Sequence, residues 1–253
     1  MDKKHAIVTG ATSGIGEAVA NKLAKLGYNI VITGRRADRL ESVKQKLVEE
    51  YGVEVVALVF DIRSYEQTTQ SLATLSPQFL APDVLVNNAG LASGMEHIYE
   101  GSFEDWNAMI DTNIKGVLHI TRTLTPNMIK REKGHIINLG SIAGTQAYEN
   151  GGVYCASKHA LHALSQSMRI DMLRYGIKVS EIRPGMVETE FSNVRFHGDN
   201  ERANAVYKGV TPLTGADIAD IVEYLVTLPA HVNINDIEVM PLAQANCFYT
   251  HRK

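Results

Sequence analysis

Residues 5–16, which read HAIVTGATSGIG, decide the fold. The first five form an apolar run typical of a buried strand, and the three glycines behind them favour a tight turn. A helix is predicted next, because apolar residues recur at helical spacing from Ile15 to Leu26 and Gly27 supplies a stop. Such a unit directs backbone N–H groups and the positive end of a helix at a pyrophosphate, so it predicts a dinucleotide site.

The remaining chain continues the alternation of strands and helices, without linker or repeat. The predicted strands are nearly continuous apolar runs, as in a sheet that is covered on both faces. They lie at 5–9, 28–33, 54–60, 83–86, 135–140, 178–183 and 236–240. The prediction is an α/β protein with a doubly wound Rossmann fold, a seven-stranded parallel sheet in a single domain over 1–253. Its ligand crevice is expected beyond the carboxyl ends of the strands.

Three local signals refine the helices. Ser64-Tyr-Glu-Gln67 and Thr214-Gly-Ala-Asp217 both predict capping boxes, the second before a helix over 218–228. Pro126 is expected to break or kink the helical stretch from Ser102 to Lys133, because proline lacks a backbone donor.

Composition excludes several classes of protein. The 253 residues are 45% hydrophobic with a net charge of −3, so no basic footprint for nucleic acid or anionic membrane is expected. The two cysteines, Cys155 and Cys247, are too few for a disulfide framework. The sequence shows no leader and no apolar run of membrane-spanning length, and it suggests no metal site, so a cytoplasmic protein is expected.

A possible acid/base pair lies in the second half of the chain. Tyr154 and Lys158 are four residues apart in a helix-forming stretch, so one turn brings phenol and ammonium to the same face. An adjacent cation is expected to lower the pKa of the phenol toward working pH, which would suit a general acid or base. The alternative is an aromatic core residue beside a solvated lysine.

These motifs together resemble the short-chain dehydrogenase/reductase family over essentially the whole chain. The resemblance is carried by Gly10-x-x-x-Gly14-x-Gly16, Asn87-Asn-Ala-Gly90, Ser141, Tyr154-x-x-x-Lys158 and Pro184-Gly-Met-Val-Glu-Thr189. It implies an oxidoreductase acting on CH–OH groups. The implied catalytic residues are Asn113, Ser141, Tyr154 and Lys158, with Asn113 in a helix distortion that keeps a relay water.

The end of the second strand predicts the cofactor. An NAD enzyme of this architecture places an acid there, but the sequence is Thr33-Gly34-Arg35-Arg36, and two guanidiniums suit the 2′-phosphate of NADP. The alternative is a pair of solvated arginines. Together with the resemblance, this gives the predicted cofactor contacts Gly10, Thr12, Ser13, Gly14, Ile15, Gly16, Arg35, Arg36, Asp61, Ile62, Asn88, Ala89, Gly90, Tyr154, Lys158, Pro184, Gly185, Val187 and Thr189.

The substrate is expected under a lid over 190–212. This segment, with residues 90–96 and 228–241, resembles the NADP-dependent 3-hydroxy acid dehydrogenases, which implies a small hydroxy acid such as serine, L-allo-threonine or 3-hydroxypropionate. Ser141 is predicted to bond the substrate oxygen, and Arg195 the carboxylate. Arg183 is the alternative partner of the carboxylate. Arg195 could instead form a surface ion pair with Glu190 or Asp199.

Three other readings stay open. One is an NADPH-dependent carbonyl or 3-oxoacyl reductase of broader specificity. The others are a cofactor-binding regulatory protein that has lost turnover, and an assembly or scaffold protein. The resemblance also implies a homotetramer that pairs through helices at 102–125 and 153–175.

Overall fold

The computed structural model describes residues 3–253 and contains one seven-stranded parallel sheet. The strands follow the order β3-β2-β1-β4-β5-β6-β7. Their bounds are β1 His5–Thr9, β2 Asn29–Gly34, β3 Val55–Val59, β4 Val84–Asn87, β5 Gly134–Leu139, β6 Ile177–Pro184 and β7 Asp236–Val239. The order reverses between β1 and β4, which opens a crevice at the carboxyl ends of these two strands.

Helices cover both faces of this sheet. They are α1 Gly14–Lys25, α2 Ala37–Tyr51, α3 Tyr65–Ala73, α4 Pro77–Leu80, α5 Phe103–Ile110, α6 Val117–Arg131, α7 Gly152–Met172, α8 Phe191–Arg195, α9 Asn200–Ala205 and α10 Gly215–Thr227. One core lies between the sheet and α1, α2 and α10, and the other lies between the sheet and α3, α4, α6 and α7. The central strands alternate between these two cores, which is why their sequences are apolar throughout.

The predicted architecture is confirmed, and six of the seven strands differ from the predicted bounds by a residue at one end or at both. Both cysteines are free thiols, and Cys155 is buried. Within residues 3–253, no helix is both long enough and apolar enough to cross a membrane.

The expected break at Pro126 is wrong, because α6 continues through this residue. The carbonyl that loses its intrahelical donor is that of Arg122, and both residues are exposed, so water can satisfy it. The irregularity lies earlier, where the π-helical turn Asp111–Gly116 joins α5 to α6.

The two predicted capping boxes have different outcomes. Thr214 and Asp217 form the full reciprocal box before α10. Ser64 accepts the N–H of Gln67 as predicted, but the Gln67 side chain accepts the N–H of Asp61 instead of returning to Ser64. The glutamine thereby fixes the turn that follows β3, at the rim of the crevice.

Candidate active site

The glycine turn between β1 and α1 brings the backbone close to the crevice floor. Gly10 and Gly14 have positive φ angles of 67° and 60°, which disfavour other residues. A Cβ on Gly16 would lie 2.3 Å from the carbonyl oxygen of Gly10. The turn therefore depends on its glycines for its shape, and the space above it suits a pyrophosphate lying on the helix N-terminus.

The arginine pair after β2 faces the same crevice. Arg36 Nη2 donates to Thr12 Oγ1 at 2.6 Å and to Ser13 Oγ at 2.9 Å, which ties it to the glycine turn. Its Nη1 donates to Glu190 Oε2 at 2.8 Å, and Arg39 Nη1 donates to the other Glu190 oxygen at 2.9 Å. The guanidinium of Arg36 is thus held at the mouth of the crevice by these partners.

The far rim is built by the ends of β3 and β4. Arg63 donates to both carboxylate oxygens of Asp61, and this guanidinium helps to hold the pKa of Asp61 below its usual range against the effect of burial. Asn88 Nδ2 donates to the carbonyls of Thr9 and Gly10 at 2.8 and 3.0 Å, so this side chain braces the glycine turn. The side-chain amide of Asn88 is therefore engaged by this turn, and its predicted contact with a ribose stays a prediction.

Tyr154 and Lys158 lie on one buried face of α7, as their spacing predicts. The exposed fractions are 8% and 6%, and Lys158 Nζ lies 6.0 Å from the centre of the Tyr154 ring. The ammonium donates to the carbonyl of Leu139 at the end of β5, at 2.8 Å. This backbone bond fixes the lysine at the floor of the crevice.

The predicted lowering of the Tyr154 pKa by Lys158 is not what this structure gives. Burial raises the pKa of Tyr154 above its usual value, and the Ser141 hydroxyl and the Arg195 guanidinium oppose that rise. Lys158 is itself affected, because burial lowers its pKa to about 8. In this structure, desolvation of the phenolate outweighs the stabilising effect of the neighbouring cations.

Ser141 and Asn113 are the other two predicted catalytic residues. Ser141 caps the short 3-10 turn Ile142–Gly144 by accepting the N–H of Ala143, and it lines the crevice beside Tyr154. Asn113 lies in the π-helical turn, 1% exposed, where its amide bonds both backbone groups of Leu91 and its Nδ2 also donates to Ser157 Oγ at 3.0 Å. The π-helical turn thus provides the helix distortion predicted around Asn113.

Arg195 approaches Tyr154 from α8 and lines a smaller adjoining pocket with it, behind the lining of the main crevice. Its guanidinium carbon lies 5.7 Å from the centre of the Tyr154 ring, and Nη1 donates to Tyr148 Oη at 3.0 Å. Arg195 Nε is buried and has no hydrogen-bond partner among residues 3–253. The alternative of a surface ion pair between Arg195 and Glu190 or Asp199 is wrong. Glu190 binds Arg36 and Arg39, and Asp199 caps α9.

Arg183, the rival of Arg195, lies elsewhere. It donates from Nη1 to Asp236 Oδ1 at 3.0 Å, beside α7 and away from the crevice lining. Of the two arginines, only Arg195 therefore lies next to Tyr154.

One cavity of about 450 Å³ joins these groups. It is lined by all the predicted cofactor and catalytic residues except Asn113, which lies one layer behind it. Sequence reasoning missed several lining residues, chiefly Phe60, Leu91, Thr112, Leu139, Gly140, Glu190, Phe191 and Val194. Glu190 directly follows the predicted Pro184–Thr189 motif, and this adjacency could have identified it as a lining residue.

The chain is similar to known proteins over most of its length. Residues 4–200 match the family model described as short chain dehydrogenase. A probable NADP-dependent dehydrogenase of Haemophilus influenzae is 49% identical over 246 residues, which are 97% of this chain and 96% of the relative. The NADP-dependent 3-hydroxy acid dehydrogenase of Salmonella typhi is 45% identical over 240 residues, or 94% and 95% of the two chains.

Among solved structures, the closed form of a serine dehydrogenase complexed with NADP+ superposes with a TM-score of 0.91. It is 42% identical to this chain, and the match covers 98% of this chain and 100% of that one. The likeness therefore extends over the crevice, the arginine pair and the lid segment as well as the sheet.

Proposed function

Because the chain belongs to the short-chain dehydrogenase family, we propose that it transfers a hydride between NADP(H) and the hydroxyl-bearing carbon of a small 3-hydroxy acid. NADP dependence has the firmest support, since relatives carry it in their names and a similar structure holds NADP+. The proposed substrates are serine, L-allo-threonine and the pair of 3-hydroxypropionate and malonic semialdehyde.

Tyr154 is the proposed general acid/base of this reaction. The cofactor accepts or supplies the hydride. During oxidation Tyr154 takes the proton of the alcohol, and during reduction it returns a proton to the developing alkoxide. Ser141 donates a hydrogen bond to the same substrate oxygen, and Lys158 holds the cofactor ribose close by. Asn113, in its π-helical turn, is the proposed anchor of a water that passes protons toward Lys158.

The position of Arg195 carries the choice of a 3-hydroxy acid. A guanidinium beside the ring of Tyr154, with a buried Nε that lacks a partner among residues 3–253, can receive a carboxylate by two hydrogen bonds. Arg195 also closes the lid, because its carbonyl accepts the N–H of Gly94 from the opposite wall at 2.9 Å. Binding of the carboxylate is thus linked to closure of the 190–212 lid over the substrate.

The test compares Arg195→Met with Arg183→Met on serine and on an uncharged secondary alcohol. Arg195→Met should lower kcat/KM for serine by about 100-fold or more and leave the uncharged alcohol much less affected, because a charged hydrogen-bonded pair is worth about 3 kcal/mol when one partner is removed. Steady-state kinetics with NADP+ in excess measures both values.

Arg183→Met is the matched control, since it removes the same charge from a site away from the lining. We expect this variant to change thermal stability through the loss of its bond to Asp236, and not the ratio between the two substrates. An equal loss on both substrates for Arg195→Met, or discrimination lost only in Arg183→Met, would contradict the role of Arg195. A wild-type protein that prefers uncharged ketones would favour the broader carbonyl reductase.

A cytoplasmic homotetramer completes the proposal. Two free cysteines are in keeping with a reducing compartment. Exposed apolar residues on α5, α6 and α7 support association through the helices that the sequence predicts, chiefly Phe103, Leu118 and Ile170.

A further inference from the structure

A row of polar side chains crosses the sheet beneath α6 and α7. Asn87, Asn138, Glu181 and Asp236 occupy the same register on four neighbouring strands, β4 to β7. Asn87 donates to Asn138 Oδ1 at 2.8 Å, and Asn138 donates to Ser165 on α7 at 2.8 Å. Polar groups this deep in a domain are unusual and must be paired.

Glu181 is one of two carboxylates in this row, and it is fully buried. Its Oε2 lies 2.5 Å from His162 Nδ1 and 3.7 Å from Arg183 Nη1. Its Oε1 accepts no hydrogen bond from any group within residues 3–253. Burial of a carboxylate costs free energy when one of its oxygens has no partner. The buried charge of Glu181 therefore needs an explanation.

A metal ion is one explanation, and the geometry speaks against it. Ligand atoms of His162, Glu181 and Asp236 lie within 4.8 Å of one another, which is close enough for a cation. Arg183 Nη1, however, lies 3.0 Å from Asp236 Oδ1 and 3.4 Å from His162 Nδ1. The guanidinium therefore already supplies the positive charge at this place.

The free oxygen of Glu181 lies instead behind the floor of the crevice. A Cβ added to Gly140 would be 2.2 Å from this oxygen, so the carboxylate packs on the backbone that directly follows Leu139. Leu139 is the residue whose carbonyl holds Lys158 Nζ, and His162 follows Lys158 by one turn of α7. The carboxylate thus packs one residue along the backbone from the carbonyl that holds the ammonium, and it does not line the cofactor cavity.

We propose that Glu181 is a positioning residue whose buried carboxylate, anchored by His162 and Arg183, keeps the Lys158 ammonium protonated at the crevice floor. Burial alone lowers the pKa of Lys158, and the charge of Glu181 acts against that lowering. The inference rests on the role given to Lys158 under Proposed function. The charged and titratable groups of the cluster that contains Glu181 are Lys158, His162 and Arg169 on α7, Arg183 on β6, and Asp236 and Glu238 on β7.

The test follows NADPH binding by fluorescence titration from about pH 7 to about pH 10. Wild-type affinity should fall above about pH 8, as Lys158 loses its proton. In Glu181→Gln, which keeps the shape and removes the charge, this fall should begin about one pH unit lower. Lys158→Met should bind weakly without that fall, which assigns it to Lys158.

Asp236→Asn is the matched control, because it removes a negative charge from the same cluster at a side chain that contacts Arg183 and not Lys158. Its profile should follow the wild type. An unshifted profile in folded Glu181→Gln overturns the inference, and so does an equal shift in Asp236→Asn. If Glu181→Gln does not fold, Glu181→Met replaces it, because it also removes the charge, and an unchanged profile there overturns the inference too.

The outcomes also separate this inference from the proposed function. A fall that disappears in Lys158→Met but stays unshifted in Glu181→Gln overturns the role of Glu181 alone. A fall that persists in Lys158→Met overturns both that role and the role of Lys158 in cofactor binding. Since no hydroxy acid takes part in the titration, an incorrect substrate assignment does not affect the result.

Discussion

At the residue scale, the proton of Tyr154 is the first point to test. Tyr154→Phe removes only the phenolic oxygen from a residue that is 8% exposed, so packing and the cavity are preserved. Turnover should fall by about 10²-fold or more, the usual contribution of a general acid/base, while NADPH affinity stays near the wild-type value. Tyr224→Phe on the exposed face of α10 is the control. Turnover above about a hundredth of wild type would exclude this role for Tyr154.

Buried Lys158 is expected to destabilise the folded protein at neutral pH. Its pKa in the folded protein, about 8, lies below its ordinary value, so the unfolded chain binds the proton more tightly. Stability should therefore rise as pH increases from about 8 to about 10, where only the unfolded state still holds the proton. At pH 7 burial of the charged lysine costs on the order of 3 kcal/mol, with the opposing charge of Glu181 already included.

Lys158→Met should consequently unfold at a higher temperature than wild type at pH 7, with activity lost. Its advantage should shrink between about pH 8 and about pH 10. Differential scanning calorimetry across this range measures both trends. A variant that is less stable at pH 7, or whose advantage grows with pH, would show that the buried ammonium is not strained in the folded state.

Residue spacing explains why this part of the site could be predicted. Tyr154 and Lys158 meet within one helical turn, so their proximity is local. The bond of Lys158 to Leu139 and the bond of Arg195 to Tyr148 join distant parts of the chain. Such contacts depend on how elements pack, and no pattern in a single sequence encodes them.

At the element scale, the strands could be predicted because each is a short apolar run between turn signals. The helix from Val117 to Arg131 was harder to delimit. Pro126 predicted a break, but the carbonyl that loses its donor belongs to Arg122, an exposed residue, so water can satisfy it. The distortion lies at Asp111–Gly116 and could not be located from helix propensity. It accompanies the packing of Asn113 against Leu91 and Ser157, and such contacts between distant parts of the chain are not encoded in local sequence.

The turn between β2 and α2 supplies a prediction about the cofactor. Changing Arg35 and Arg36 together to glutamine should weaken NADPH binding by about 10-fold or more and NADH binding much less, because only NADPH carries the 2′-phosphate proposed to bind this pair. Isothermal titration with both cofactors measures the two losses. Arg39→Gln, which leaves the pair intact and removes a bond to Glu190, is the control. Equal losses for NADPH and NADH would show that the pair does not bind the phosphate.

At the scale of the whole molecule, parallel topology explains why motifs far apart in sequence meet. β1, β2, β4, β5 and β6 end at one edge of the sheet, and each is followed by residues that line the cavity. The wall opposite α7 is closed by the 190–212 segment, which contacts the arginine turn through Glu190 and residues 93–105 through Arg195 and His197.

The outer faces of the helices carry the last prediction, which concerns assembly. Ile170 and Leu173 are 75% and 74% exposed at the end of α7, and Phe103 at the start of α5 is 75% exposed. Large apolar side chains grouped on helices that are predicted to pair suggest an interface. We expect wild type to sediment as a tetramer at micromolar concentration.

The double variant Ile170→Asp/Leu173→Asp should lower the measured mass, because a charged carboxylate cannot be buried without a partner. Val48→Asp on α2 makes the same change at a residue that is 41% exposed outside the predicted interface, and it should leave the mass unchanged. Sedimentation velocity gives the masses, and circular dichroism checks the fold. A monomeric wild type would refute the assembly directly. A tetramer that persists in the double variant would place the interface on other surfaces, since two buried aspartates on each subunit would not be tolerated.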